Sequence, residues 1–321
     1  MTSRMKRLLA AALLVAACSK GPDERIAREY HELWVARGPA PVARPCTDAA
    51  VRYSRLAPLL QLHDATHAWH SFSDPLPPPV AAQLSSLVPD PTAADDLRCM
   101  AEDPASRVDI WSELGRFGAL LYLKGESVAA TDPDAGWRQI SESLHLFHDP
   151  PAFEYLYFFT PAWMLERASA LAASHPSPDD LRASVLAAAA TAVMPKAALC
   201  AGLREELLVQ SGMLFYADFP EMHDAFIARW PGLAPLLDGG ALETRRSYDE
   251  WQSLRAVADA ITRDCDATST SALRQELVPL GATIKQRAPD LGMIFDALIS
   301  RIDAYDQLVA SDVAFRARFA H

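Results

Sequence analysis

From Ile26 to Val309 the apolar residues of this chain recur at intervals of three and four, and no stretch alternates as a half-buried strand requires. Val108, Trp111, Leu114, Gly118 and Leu121 make one such stripe, and Trp137, Ile140, Leu144 and Phe147 make the next. Side chains three and four apart share a helical face, so each stripe must be buried against another helix. Asp132-Pro133 separates the two and supplies an N-cap followed by a first-turn proline. Thr160-Pro161 and Ser177-Pro178 repeat that start signal, and Pro195 opens a helix reaching about Tyr216. Long stripes joined by short connections predict antiparallel neighbours. The expected fold class is all-α, an irregular helical bundle or a short α-solenoid of stacked antiparallel helix hairpins.

The flanking segments follow the same grammar. Residues 23–37 read as a helix with Ile26, Tyr30, Leu33 and Trp34 on one face. The proline-rich run 38–45 reads as an extended linker. A helical region from Thr47 to about Ser73 is expected to be interrupted at Pro58, and Asp74 to Pro79 ends it. Thr92 with Asp95 marks the start of a helix carrying Cys99. Beyond Trp230, a Pro/Gly-rich loop precedes three further stripes. They are Trp251, Leu254, Ala258, Ile261; then Leu273, Leu277, Leu280, Ile284, bent at Pro279; then Phe295, Leu298, Ile302, Tyr305, Val309. The expected division is a signal peptide (1–17), a helical tether with its linker (18–45), a helical domain (46–230) and a C-terminal helical bundle (231–321). Nothing in the sequence sharply separates the last two.

The N-terminus indicates a compartment. Arg4, Lys6 and Arg7 precede an apolar run from Leu8 to Ala17, too short to span a bilayer, which marks a cleaved export signal. The closing Val15-Ala16-Ala17-Cys18 resembles the lipobox of bacterial lipoproteins. That resemblance implies that Cys18 carries lipid, palmitate included, and becomes the first mature residue, anchoring the protein in the cell envelope. Ser19 in place of Asp favours the outer membrane by the same resemblance. Removing the signal leaves 304 residues and takes three positive charges with it, so the net charge falls from −11 to −14. An acidic chain of this kind is unsuited to nucleic acid and to adsorption on anionic lipid, so the lipid itself is the expected membrane contact.

Cysteine usage agrees with export. Four cysteines remain besides Cys18: Cys46, Cys99, Cys200 and Cys265. An even number in an oxidising compartment reads as two disulfides, for which three pairings are open. Cys46–Cys99 with Cys200–Cys265 is preferred because each bridge then stays within its own half of the chain. No C-x-x-C spacing favours zinc-thiolate or redox chemistry.

Three constellations invite chemistry. His63, His67 and His70, followed by Asp74, fall within about 60° of one helical face, a spacing that can chelate zinc or another transition metal. His63-x-x-x-His67 resembles the zincin motif, but Asp64 stands where that family places its glutamate base. Glu142-x-x-His145 has the spacing of a carboxylate-bridged di-iron site, in a single copy where two are needed, and His148 follows it. Phe153 to Phe159 with Trp163 concentrates aromatics that suit either a core or a groove. Glu205-Glu206 and Asp179-Asp180 read as a solvated face and a first-turn pair favoured by the helix dipole. There is no nucleophile elbow, phosphate loop or dinucleotide fingerprint. Glu126-Ser127 is the one pair matching the lytic transglycosylase signature, and the Gly-rich Met-Gln stretch that should follow it is missing.

Asp109 to Leu214 resembles the tetratricopeptide-like helical pairs of bacterial envelope proteins. The likeness rests on a long helix ending near Lys124-Gly125-Glu126, an Ala/Trp-containing partner, a Pro-started helix and Leu203-Arg204-Glu205-Glu206. It lacks a 34-residue period. The expected function is therefore a non-enzymatic, lipid-anchored binding or scaffold module with an envelope protein partner and no cofactor. The alternative is a metal-dependent enzyme or metal-binding protein that uses His63, His67 and His70, with zinc as the representative metal.

Overall fold

The computed structural model describes residues 23–37, 46–64, 66, 76–87, 92–102, 110–147, 156–215, 222–229, 246–289 and 291–319. Every regular element among the described residues is a helix. In chain order these are α1 (Glu24–Arg37), α2 (Ala49–Asp64), α3 (Pro78–Ser86), α4 (Ala93–Glu102), α5 (Ile110–Ala129), α6 (Pro133–His145) and α7 (Leu156–Ser174). There follow α8 (Asp179–Ala192), α9 (Lys196–Phe215), α10 (His223–Arg229), α11 (Tyr248–Asp264), α12 (Thr270–Arg287) and α13 (Gly292–Phe319). The chain forms two compact units. One comprises Met1–Ala40, Arg204–Asp264 and Gln275–Asp296; the other comprises Pro41–Leu203, Cys265–Arg274 and Ala297–His321. Helices α9, α12 and α13 contribute residues to both.

The larger unit is built on the α5–α6 hairpin. Asp132 caps α6 by accepting the Ala135 N–H at 3.0 Å, with Pro133 behind it in the first turn. Leu114, Gly118 and Leu121 of α5 are buried, as are Trp137, Ile140, Leu144 and Phe147. The two helices lie in close contact at Gly136, where a Cβ would lie 2.4 Å from the Ala129 backbone.

A second pair stacks on the first. Tyr122 meets Trp163 with ring centroids 5.5 Å apart, and Glu126 meets Arg167 at 2.6 Å. Both contacts join residues 41 positions apart, so α5 and α7 lie parallel. Ser141 of α6 and Ser184 of α8 bring their hydroxyls within 3.4 Å at an offset of 43. Upstream, Lys124 Nζ donates to the Ser85 carbonyl of α3 at 2.9 Å, an offset of 39. Residues near forty positions apart thus recur as neighbours, which is the arrangement of stacked antiparallel hairpins. Beside the stack, Phe319 of α13 packs edge-on to Trp137 at 5.3 Å, and Gln307 and Ser311 donate to Glu166. The preferred disulfides are both present, Cys46–Cys99 with Cα atoms 5.2 Å apart and Cys200–Cys265 at 5.6 Å.

Three proline and periodicity expectations are corrected. Helix α2 runs unbroken through Pro58, carried by buried Leu56, Leu59 and Leu62. Helix α7 begins at Leu156, before Thr160-Pro161. Pro161 lies inside it, flanked by buried Thr160, Ala162, Met164 and Leu165. An interior proline costs about 3 kcal/mol; burial of several apolar side chains, at roughly 1.5–3 kcal/mol each, exceeds that. On α13 the expected stripe fails at Val309, which is 37% exposed, while Leu308, Ser311, Phe315 and Phe319 are buried. A straight helix turns 3.6 residues per turn, so its buried stripe drifts off a 3.5-residue repeat.

The smaller unit surrounds Tyr30 of α1. Trp251 lies edge-on to it at 6.2 Å and Phe226 stacks at 6.3 Å; Phe226 also stacks on Trp34, and Phe215 lies edge-on to Trp251. The Tyr30 hydroxyl donates to the Leu208 carbonyl at 2.9 Å. Gly212 makes room for this cluster, since a Cβ there would lie 2.0 Å from the Phe226 ring. The α11 stripe of Trp251, Leu254, Ala258 and Ile261 is buried as expected.

Residues 179–215 form the one described stretch long and apolar enough to cross a membrane by length and composition, with mean hydropathy 1.6 over an 18-residue window. The helix breaks at 193–195, and the second half carries the Cys200–Cys265 bond and two buried glutamates, which are features of a protein core.

Candidate functional site

The α5–α7 contact gathers aromatic, charged and unpaired polar groups in one place. One helical turn separates Tyr122 from Glu126, and one turn separates Trp163 from Arg167, so the two helices present matching two-rung ladders. The aromatic rung is Tyr122–Trp163. The charged rung is Arg167, whose Nε and Nη2 both donate to Glu126 Oε2 at 3.1 and 2.6 Å. The Arg167 guanidinium also sits 5.1 Å from the centre of the Trp163 ring, linking the rungs. Trp163 and Arg167 remain partly open to solvent. Two buried hydroxyls on these helices, Tyr122 Oη and Thr160 Oγ1, have no hydrogen-bond partner among the described residues. Burial, reinforced by the nearby Glu126 charge, pushes the Tyr122 phenol well above its ordinary range, so it remains a neutral donor. The ladder offers stacking, hydrogen bonding and a guanidinium. It does not pair a nucleophile with a base: Glu126 is engaged by Arg167, and the Ser127 hydroxyl donates to the Lys124 carbonyl.

Three other buried or half-buried carboxylates are each bound by several donors. Asp96 of α4, fully buried, receives Arg52 at 2.6 Å and Arg55 through both Nε and Nη2 at 2.7 Å. Burial disfavours its charge, but the two arginines outweigh that and hold its carboxyl below the ordinary value. Glu29 of α1 accepts from Tyr248 Oη at 2.6 Å, Trp251 Nε1 at 2.7 Å and Gln252 Nε2 at 3.0 Å. Burial again opposes ionisation, and these donors with Arg255 reverse it. Glu205 of α9 is clasped by Arg229 and approached by Arg37 at 2.8 Å. The solvated face expected for Glu205-Glu206 is therefore wrong: both residues are buried. Arginines of α1 and α10 neutralise the first, and Gln210 donates to the second at 3.0 Å. No local pattern in α9 announces those distant partners. Asp179 and Asp180 do occupy the exposed first turn of α8.

Cys18 lies outside the described residues, as do His67, His70, Asp74 and His148. His63 lies in α2, and its side chain is not described; the same holds for the aromatic run 153–159. His145 is exposed at the end of α6. Glu142, one turn earlier, is partly buried. Burial, with the charge of Asp95 added, raises its carboxyl above the ordinary range. Among the described residues no three His, Cys, Asp or Glu side chains converge as a metal site.

Comparison of the chain with protein families, curated proteins and solved structures returns no match.

Proposed function

We propose that this chain is a lipid-anchored helical binding or scaffold module of the bacterial envelope, held through Cys18 and facing an envelope protein partner. The observation that supports the reading best is the stack itself, in which α5 and α7 lie parallel and α8 packs on α6. Such stacks build extended side-chain surfaces from neighbouring helices. On this one the Trp163–Arg167–Glu126 rungs form a partly open strip of the residue types, tryptophan and arginine, that dominate binding hot spots. The buried carboxylates of both units are occupied by arginine, tyrosine or tryptophan donors, which suits support of a shape better than acid–base work.

The lipobox, with Ser19 beside it, supports an outer-membrane anchor. Cys18→Ser should release the protein from carbonate-washed membranes, and retention of that variant would refute the anchor. Mild crosslinking of the intact protein should capture one recurrent envelope protein, and Arg167→Gln, which removes the guanidinium without setting a second carboxylate beside Glu126, should weaken that capture several-fold while the protein stays folded and helical. Capture that is indifferent to Arg167→Gln would remove the α5–α7 strip from the binding surface.

A further inference from the structure

We propose that, once anchored through Cys18, the smaller unit is mounted directly on the bilayer, with the N-terminal end of α1 against the phospholipid headgroups. This rests on the lipid-anchor reading above and adds to it the identity of the surface that meets the membrane.

The first support is reach. Asp23 is fixed as the start of α1: its carbonyl accepts the Ala27 N–H at 3.1 Å, and its carboxylate accepts the Arg25 N–H at 3.0 Å and the Arg25 guanidinium at 2.7 Å. Only residues 19–22 separate it from Cys18. Five Cα steps span at most about 18 Å when fully extended. The headgroup layer is itself roughly 5–7 Å deep. The start of α1 therefore cannot stand clear of the lipid surface by much more than one helix diameter.

The second support is that α1 cannot lengthen the tether by letting go. Ile26 and Tyr30 are completely buried, and Tyr30 donates to Leu208. Glu29 accepts three side-chain donors from α11, and its own carbonyl accepts from Arg255 at 3.0 Å. At the far end Arg37 pairs with Glu205. A tether running from 18 to 45 would allow about 90 Å; one that ends at Asp23 allows a fifth of that.

The chemistry of the surface indicates how it is held. Beside Asp23 and Glu24 stand Arg25, which lies 3.9 Å over the Tyr248 ring, and Arg28. The charges are mixed and the whole chain is acidic. Adsorption by charge is therefore not the cause, and the mounting should be the same on zwitterionic and anionic lipid and insensitive to salt.

The test uses the full lipidated chain in phosphatidylcholine vesicles that carry a headgroup-attached quencher. A fluorophore is placed on Arg28→Cys, and independently on Glu24→Cys, and each is compared with the same protein holding a twenty-residue Gly/Ser insertion between Lys20 and Gly21. Intact mass establishes acylation in every sample. Strong quenching of both labels is expected, falling several-fold on insertion and unchanged by added salt or by phosphatidylglycerol. Acylated protein quenched no more than its insertion variant overturns the mounting and leaves the anchor standing. Mature protein without acyl chains overturns the anchor, and the mounting with it.

Discussion

Arg229 grips Glu205 through two parallel hydrogen bonds, Nε to Oε1 and Nη2 to Oε2, each 2.8 Å long, and both side chains are almost wholly withdrawn from water. Removing one member of such a pair strands the other, at about 3–5 kcal/mol. Glu205→Ala should therefore destabilise strongly, as a lower midpoint in urea denaturation. Replacing both groups by apolar ones, Glu205→Leu with Arg229→Met, should cost less than Glu205→Ala alone, because no buried charge is left over and Arg37 can turn to solvent. A double variant less stable than the single would show that the pair contributes more than the neutralisation of its own charges.

The residues that neighbour Glu205 in sequence do not announce that pair. The helices were legible because burial imposes a spacing of three and four: every residue of the Trp137–Phe147 and Trp251–Ile261 stripes is buried. Cysteine pairing was legible because it rests on few combinations. Glu205 was not legible, since its partners lie 24 residues onward and 168 residues back, on helices α10 and α1. Nor was the stacking period. The rungs pair unlike residues, Tyr122 with Trp163 and Glu126 with Arg167, so the repeat exists in the packing and leaves no self-similarity in the sequence. Pro58 and Pro161 misled because a local rule met a larger packing term. The α5–α7 strip was half visible: Trp163 and Glu126 drew notice separately, and only the fold brings them together.

Glu29 should make the smaller unit sensitive to acid. Its folded carboxyl titrates below the ordinary glutamate value, so the fold binds fewer protons than the unfolded chain. The stabilisation is fully present above the unfolded value, near 4.5, and is lost as pH falls through the folded one. Asp96 acts in the same direction in the larger unit. Glu29→Ala leaves the indole N–H of fully buried Trp251 without its acceptor, a loss of roughly 1–3 kcal/mol. Stability of this variant should fall less steeply below pH 4.5 than that of the parent, and an unchanged slope would show that Glu29 does not carry the acid response.

Glu142 has the opposite sign. Its folded carboxyl titrates above the ordinary value, so the fold takes up the proton more readily, and stability declines as pH rises from the unfolded value through the folded one. Glu142→Gln removes a half-buried charge facing Asp95. A gain of about 0.5 kcal/mol, discounted for solvent screening, corresponds to an increase of a degree or two in melting temperature. The gain should be present at pH 7 and vanish near pH 4; a variant less stable at pH 7 would refute it.

Gly136 should be the least replaceable residue of the α5–α6 hairpin. An alanine Cβ there would stand 2.4 Å from the backbone nitrogen and Cα of Ala129, and backbone cannot rotate aside as a side chain can. Overpacking of this kind costs about 1–3 kcal/mol, and more where nothing yields. Gly118→Ala meets side chains alone, the Phe147 ring at 2.6 Å and Leu146 at 3.5 Å, and should cost less. Thermal melts that rank the two in the reverse order would mean that the hairpin separates more easily than the Phe147 ring moves.

The two disulfides should act as independent constraints on the unfolded chain. Cys46–Cys99 closes a separation of 53 residues and Cys200–Cys265 one of 65, both within the larger unit. Loops of that size give about 4 kcal/mol each by chain entropy. A domain has only about 5–15 kcal/mol in all, so losing one bridge should lower the melting temperature visibly while the helices persist. Cys46→Ser, Cys99→Ser and the double substitution should then lie within a few tenths of a kcal/mol of one another, and likewise for Cys200 and Cys265, because a bridge is lost once. Removing one member of each pair should cost close to the sum of the two losses. A large departure from that sum would show that the bridges restrict the same part of the unfolded chain. Peptide mapping of the unsubstituted protein without reduction must return Cys46 with Cys99 and Cys200 with Cys265, and a crossed peptide would contradict the fold described for the larger unit.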